Sequence, residues 1–475
     1  MIIAPTNAVS AEVSPVDVHA RGALLLLLAS SLGWLVLSGI LALIAAIQLH
    51  SPAFLQDLPW LTHGRAEALR ETAFIYGWAA NAGLGIGLWL VGRLGGNLLR
   101  ALNWTVTGTV FWNLGVLAGL VGIALGDMTS LPMLQLPRYV QPLLVVAYAA
   151  IALSGVLAWS GRRVDSTYAS QWYVVAALFL FPWLLTAGQM VMLWAPMRGT
   201  LQAIAAAWYA QGIWSFWLAP LALAGAYYIV PKVTGRLLPS YEFAPLAFWV
   251  LLMAGGWTAG RALVGGPVPA WISTVAIVAG MLVLFHHMVL GLNLRVVLGG
   301  TGNALSFIRF GLAAYILSGV LNAIVSFRVV AERLHFTFAG SALDQLAYQG
   351  AISTLFFGSI YYMLPRLTGR TWSSGALIVG HRVLFIAGVV GAVVSLTVAG
   401  WLQGGYLLDG KTPVADILGN IRGPLLIATA SQLVMLAANL LLVVNFFQSV
   451  CPCRTADASS PGPFRQPSAV EATAT

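Results

Sequence analysis

The chain has 475 residues, 59% of them hydrophobic and only 8% charged. Soluble domains are about 45–50% apolar and about 25% charged, so 23 basic and 14 acidic side chains would leave most of a soluble surface of this size uncovered. The net charge of +9 does not mark a nucleic-acid binder, because the basic residues stand singly between apolar stretches and form no phosphate-binding patch. A soluble enzyme, a disordered chain and a disulfide scaffold are excluded. The composition is that of a polytopic membrane protein.

A membrane-crossing helix needs about 20 mostly apolar residues. Twelve such stretches occur in chain order, at 22–48, 72–92, 103–126, 140–160, 170–195, 203–230, 242–260, 270–294, 305–327, 346–365, 378–402 and 423–448. Period-two alternation is absent and the runs exceed barrel-strand length, so the fold class is all-α. Residues 1–21 read as a cytoplasmic segment without a cleavable signal, since Arg21 opens directly onto a span too long for a signal core. Residues 22–450 form a single twelve-helix unit. Residues 451–475, rich in Pro, Ser and Ala, read as a disordered tail.

Fourteen of the 23 basic residues fall on the face that carries Arg21, Arg93 and Arg366, and nine on the face of Arg70, Arg261 and Arg422. That bias places both termini in the cytoplasm, so even-numbered spans begin outside. The two cysteines, Cys451 and Cys453, read as reduced thiols, with juxtamembrane acylation the alternative. Among seven histidines none sits mid-span with a second at helical spacing. His286 and His287 are adjacent on one helix and point about 100° apart, so they cannot easily share a metal and a structural or interfacial role is expected of them.

Four blocks carry a resemblance to subunit I of the haem–copper oxidases, closest to the cbb3-type cytochrome c oxidases. The first runs from Leu58 to Arg65. The second is Trp208-Tyr209 followed by Tyr227-Tyr228-Ile229-Val230-Pro231-Lys232, which resembles the family's WYGHN…YYFLPK. Trp257 with Pro269-Ala270-Trp271 matches its W…PDW. Gly358-Ser359-Ile360-Tyr361-Tyr362-Met363-Leu364-Pro365-Arg366 is similar to its GSIYYLIPR, with His335-Phe336-Thr337 matching HYT upstream. The resemblance implies a twelve-helix oxidase-like bundle. The family would carry a low-spin haem b, a high-spin haem and copper, held by six histidines.

Laid over this chain, those six positions carry other residues. The low-spin haem ligands fall on Arg70 and Gln345, and the high-spin haem ligand on Leu343. The copper ligands fall on Gln211, Arg261 and Ala262. The family's tyrosine six residues before the copper pair becomes Gly255, and the glutamate of its ninth helix becomes Leu321. Haem iron takes imidazole, thiolate or thioether, and copper takes imidazole or sulfur. Arginine stays protonated and accepts nothing; leucine and alanine offer no donor atom. No haem and no metal is therefore expected to bind.

The replacements suggest their own contacts. Arg70 and Glu71 are expected to open the second span, and Asp344 and Gln345 the tenth, all at one depth. An isolated charge at mid-membrane costs roughly 2.5–3.5 kcal/mol. Arg70 is therefore expected to pair with Asp344 or Gln345 across the vacated haem slot, the alternative being that it snorkels to the headgroups. A hydrogen bond between Arg261 and Gln211 would mark the former copper pocket. Trp78, Trp214, Trp217 and Trp257 lie on the helices that would fill the haem slots, or are plain packing. The expected function is that of a non-catalytic scaffold or partner subunit in a respiratory-type complex. Its partners would be the lipid bilayer, other membrane subunits and cytochrome c-type subunits, in a bacterial inner membrane. Two other readings stand beside it: an active terminal oxidase passing electrons from cytochrome c to oxygen, and a membrane transporter.

Overall fold

The computed structural model describes residues 13–163 and 167–451; the expected disordered tail therefore lies outside the described residues except for Cys451. Among the described residues eleven helices are long and apolar enough to cross a membrane: α1 Pro15–His50, α2 His63–Gly95, α3 Leu102–Leu125, α4 Gln141–Ser160, α5 Ala169–Trp194, α6 Thr200–Thr234, α7 Tyr241–Leu263, α8 Ala270–Gly299, α9 Asn303–Val325, α11 Gly375–Asp409 and α12 Arg422–Val450. Between α9 and α11 a continuous helical run over 338–368 forms α10. It coincides with the tenth expected span, 346–365, but is less apolar than the other eleven. Burial explains this: from Leu346 to Leu364 nearly every side chain is enclosed by protein, so the helix needs no lipid-compatible face. Among the described residues there is no strand.

Three helices form the interior. The most apolar part of α2 is 100% buried and that of α6 is 94% buried, whereas most of the others present about half of theirs to the exterior. α10 is the third. α1, α11 and α12 pack along one side of this core, α3 and α4 pair on another, and α7 to α9 close the rest. Between helices in lipid the association is driven by close packing and interhelical hydrogen bonds. An aromatic layer supplies much of it here. Trp217 stacks on Phe181 at 3.6 Å, Tyr148 meets Phe181 at 4.7 Å, and Trp112 lies 6.1 Å from Phe181.

Two boundaries depart from expectation. α1 starts at Pro15 within the expected N-terminal segment, because Pro15 takes the first helical position and the Asp17 carboxylate accepts the Ser14 N–H at 2.8 Å. α2 starts at His63, so Arg70 and Glu71 lie about two turns inside it rather than at its start. Its opening turns are polar but amphipathic, with Ala66, Ala68, Leu69 and Thr72 buried. Apolar content alone stops short of such a segment.

Candidate functional site

Each interior helix departs from regular α geometry, and the departures fall at related places. α2 carries a π segment over Ala73–Ala79, α6 over Ile213–Leu218 and α10 over Gln345–Ser353. They begin just past Arg70, just past Gln211 and at Gln345. π-bulges occur often at functional sites, since they rotate the side chains that precede them against those that follow. A fourth, Met190–Trp194, lies at the end of α5.

Two cavities open between these helices at the end where α2 and α10 begin. The first, about 260 Å³, has a polar wall of His63, Glu67, Arg70 and Glu71 from α2 and Asp344, Gln345 and Gln349 from α10. Its opposite wall is built from small and aliphatic residues of α1, α11 and α12. The second, about 680 Å³, lies between α6, α7, α10 and the loop after α3; Gln211, Arg261, Ala262, Asp344 and Tyr348 line it. Met133, Asp344 and Tyr348 belong to both. A third space of about 40 Å³ lies deeper, between Gln211, Trp214, Arg261, His287 and Tyr315.

The sequence-predicted residues are brought together, but their contacts differ from those expected. Arg70 does not reach Asp344. Its Nε donates to Glu67 Oε2 at 2.9 Å and its second guanidinium nitrogen to Glu67 Oε1, a two-pronged pair one turn apart on α2. The fork geometry of guanidinium matches a carboxylate, and Glu67 is the acid within nearest reach. Asp344 faces the same cavity and feels Arg70 only as a distant charge. The ion pair sits two turns inside the helix, with the Arg70 side chain 25% exposed.

Arg261 and Gln211 line one cavity wall, with no hydrogen bond between them. Among the described residues, the side chains of Arg261 and Asp344 make neither a hydrogen bond nor an ion pair at contact distance, although their charges attract. Gln345 Oε1 is enclosed without a hydrogen-bond partner, and Leu343 is half-buried. Among the described residues no group of three or more His, Cys, Asp and Glu side chains stands close enough to hold a metal ion.

Glu71 and Met133 were not legible as a pair. Glu71 Oε1 accepts the Met133 N–H at 2.6 Å, while Tyr76 Oη donates to the Met133 carbonyl at 2.6 Å and lies 2.8 Å from Tyr209 Oη. Met133 is thereby held at φ +60°, a left-handed conformation uncommon for its type, on the wall shared by the two cavities. Glu67 was legible in principle, since it stands three residues before Arg70 and so on the same helical face.

The tryptophans divide. Trp78 and Trp217 are fully buried; Trp78 donates to Ser353 Oγ at 3.1 Å and packs 5.2 Å from Phe357. Trp214 stacks on Tyr315 at 5.7 Å and meets Tyr348 edge-on at 5.5 Å. Trp257 is the exception: it is 62% exposed on the outside of the bundle and fills nothing. His286 and His287 are buried; His286 lies 3.1 Å from both the Ala247 carbonyl and Tyr315 Oη, and His287 Nδ1 is 2.9 Å from the Val283 carbonyl.

These features define an integral membrane protein whose helical bundle encloses a polar, cavity-containing centre built on three interior helices. The chain belongs to the family of cytochrome C and quinol oxidase polypeptide I, whose model matches residues 22–416. It is 24% identical over 377 residues to the cbb3-type cytochrome c oxidase subunit CcoN1 of Stutzerimonas stutzeri, covering 77% of this chain and 80% of that one. It is 25% identical over 394 residues to a cytochrome c oxidase subunit 1 homolog of Azorhizobium caulinodans, covering 78% and 70%. In fold it is similar to a chain of a heme-copper terminal oxidase dimer solved by cryo-EM, with a TM-score of 0.71 at 14% identity, over 92% of this chain and 86% of that one.

Proposed function

We propose that this cbb3-like subunit is a cofactor-free member of its family, acting as a scaffold or partner subunit in a respiratory-type membrane complex. The observation that carries the reading is the donor set. Arg70, Leu343 and Gln345 stand at the haem-ligand positions and Gln211, Arg261 and Ala262 at the copper positions. Two guanidinium groups accept nothing, leucine and alanine have no donor atom, and two amides are poor substitutes for imidazole. These residues do not fit haem b, a high-spin haem or copper, so no step of oxygen reduction is routed through them. The π segments beside Arg70, Gln211 and Gln345 support the register, because they mark those positions independently of residue identity.

Arg70 is engaged by Glu67, which leaves it a structural role, and the aromatic packing around Trp78, Trp214 and Trp217 supports a bundle that holds its shape without a planar cofactor. The partners are other membrane subunits, with cytochrome c-type subunits among them, in a bacterial inner membrane. Both termini lie in the cytoplasm, and the cavity-bearing end faces outward. A pyridine haemochrome spectrum and copper analysis of the purified protein test the reading: sub-stoichiometric haem and copper are expected, and one haem b per chain overturns it.

The competing reading, an active terminal oxidase, is favoured by the oxidase names of the relatives. Cyanide-sensitive oxygen consumption by the purified chain would establish it.

A further inference from the structure

The larger cavity holds an arrangement that the scaffold role leaves unused. Arg261, in the last turns of α7, and Asp344, before the π segment of α10, project into one space of about 680 Å³. They attract each other without touching, and among the described residues neither side chain has a hydrogen-bond partner. Every other charged side chain at these cavities for which a bond is described is engaged: Arg70 with Glu67, and Glu71 with the Met133 N–H. Around the Arg261–Asp344 gap small and aliphatic residues, among them Leu131, Pro132, Ala206, Ala207, Ala262 and Leu263, form most of the wall, with Ser130, Gln202, Gln211 and Tyr348 as its uncharged polar members. A water molecule occupies about 30 Å³, so the cavity is large enough for an organic molecule, in the ordinary range for small-ligand pockets.

We propose that this cavity binds a zwitterionic amphiphile, a molecule with an anionic group and an ammonium group set close together on an apolar body. The guanidinium of Arg261 offers a planar fork that suits a carboxylate or phosphate. The Asp344 carboxylate accepts hydrogen bonds from an ammonium, and the alanine face of α6 takes the apolar part. A simple anion would satisfy Arg261 and be repelled by Asp344, and a simple cation the reverse; only a ligand carrying both charges completes both residues. The same chemistry is supplied by a phosphatidylethanolamine headgroup or by a free apolar α-amino acid. The proposal rests on the cofactor-free reading, since a copper or haem centre would claim the same space.

Native mass spectrometry of the detergent-purified full chain, incubated with phosphatidylethanolamine or phosphatidylglycerol of matched acyl chains, tests one source. Calorimetric titration with L-leucine tests the other. Phosphatidylethanolamine is expected to be retained about tenfold more tightly than phosphatidylglycerol, which lacks the ammonium. D344N is expected to abolish that preference, a loss of about tenfold or ~1.4 kcal/mol. R261Q is expected to weaken both lipids, and A207L, which fills the cavity without altering charge, to weaken them equally. Leucine binding with the same loss in D344N supports the proposal and assigns the source to a free solute. Equal retention of the two lipids together with no leucine binding overturns it, as does binding indifferent to both D344N and A207L. The haemochrome spectrum of the same preparation separates the failures: a haem-free chain that binds neither probe overturns this proposal alone, whereas a haem-loaded chain overturns the reading beneath it.

Discussion

The two ends of the bundle manage charge in opposite ways. At the end where α1 begins, Asp17 is completely enclosed and three donors converge on its carboxylate: Arg93 Nη1 at 2.5 Å, Trp89 Nε1 at 2.6 Å and the Ser14 N–H at 2.8 Å. Arg21 donates to the Leu367 carbonyl at 2.5 Å, and Arg366 donates to the Tyr362 carbonyl while lying 3.5 Å over its ring. At the other end lie two cavities, an Asp and an Arg that do not touch, and an enclosed Gln345 oxygen without a partner. Membrane proteins keep few charges, and a charge without a partner inside one is costly. One end therefore uses its charge to lock helices together, and the other keeps charge available.

The largest effect is expected at the locked end. Replacing Asp17 by Ala removes the carboxylate to which the Arg93 guanidinium, only 13% exposed, and the Trp89 N–H both donate. Removing one member of a buried pair costs about 3–5 kcal/mol. D17A should lower the thermal midpoint in detergent strongly, and D17N, which keeps an acceptor oxygen for Trp89, should lower it less. A D17A protein as stable as the parent would remove the contrast between the two ends.

This contrast marks how far the sequence could be read. The twelve spans were legible because a run of apolar residues is sufficient to specify a membrane helix. The tenth of them, 346–365, was found the same way although its buried helix α10 is less apolar than the rest. The neighbourhood of Arg70, Asp344, Gln211 and Arg261 was legible as well, since the resemblance places them around shared space. The bonds were not. Which acid takes Arg70 is decided by local helical geometry in a polar segment that apolar content does not delimit, and Glu67 prevails over the more distant Asp344. The Met133 clamp joins residues 62 positions apart through a left-handed backbone, which no local pattern encodes. Trp257 faces outward because a matched motif fixes a residue's place along a helix and leaves its direction to the packing.

A smaller effect is expected where α1 crosses the π segment of α2. At Gly77 an added methyl would meet Trp34 ring atoms at 2.5 Å, and Trp34 is itself fixed by donating to Asn113 Oδ1 at 2.5 Å. Asn113 and Asn81 in turn bond each other at 3.1 and 3.2 Å. G77A forces the indole to move against that network, and overpacking of this kind costs about 1–3 kcal/mol. The thermal midpoint should fall measurably but less than in D17A. An unchanged midpoint would mean that the interior helices tolerate displacement on this side too.

The smallest effect is expected at the Glu67–Arg70 pair, and it is the sharpest test of the open end. The two side chains are 43% and 25% exposed and one turn apart, a setting in which an ion pair contributes less than about 1 kcal/mol. E67Q should therefore shift the thermal midpoint only slightly. Its consequence lies elsewhere: with Glu67 neutral, Arg70 loses the acid that holds it and turns across the cavity toward Asp344. A double-mutant cycle joining E67Q with D344N should then show a coupling of about 0.5–3 kcal/mol, the range for residues sharing a partner. Strict additivity would mean that Arg70 stays on its own helix whatever its partner's charge, and that Asp344 is reserved for Arg261 and what lies between them.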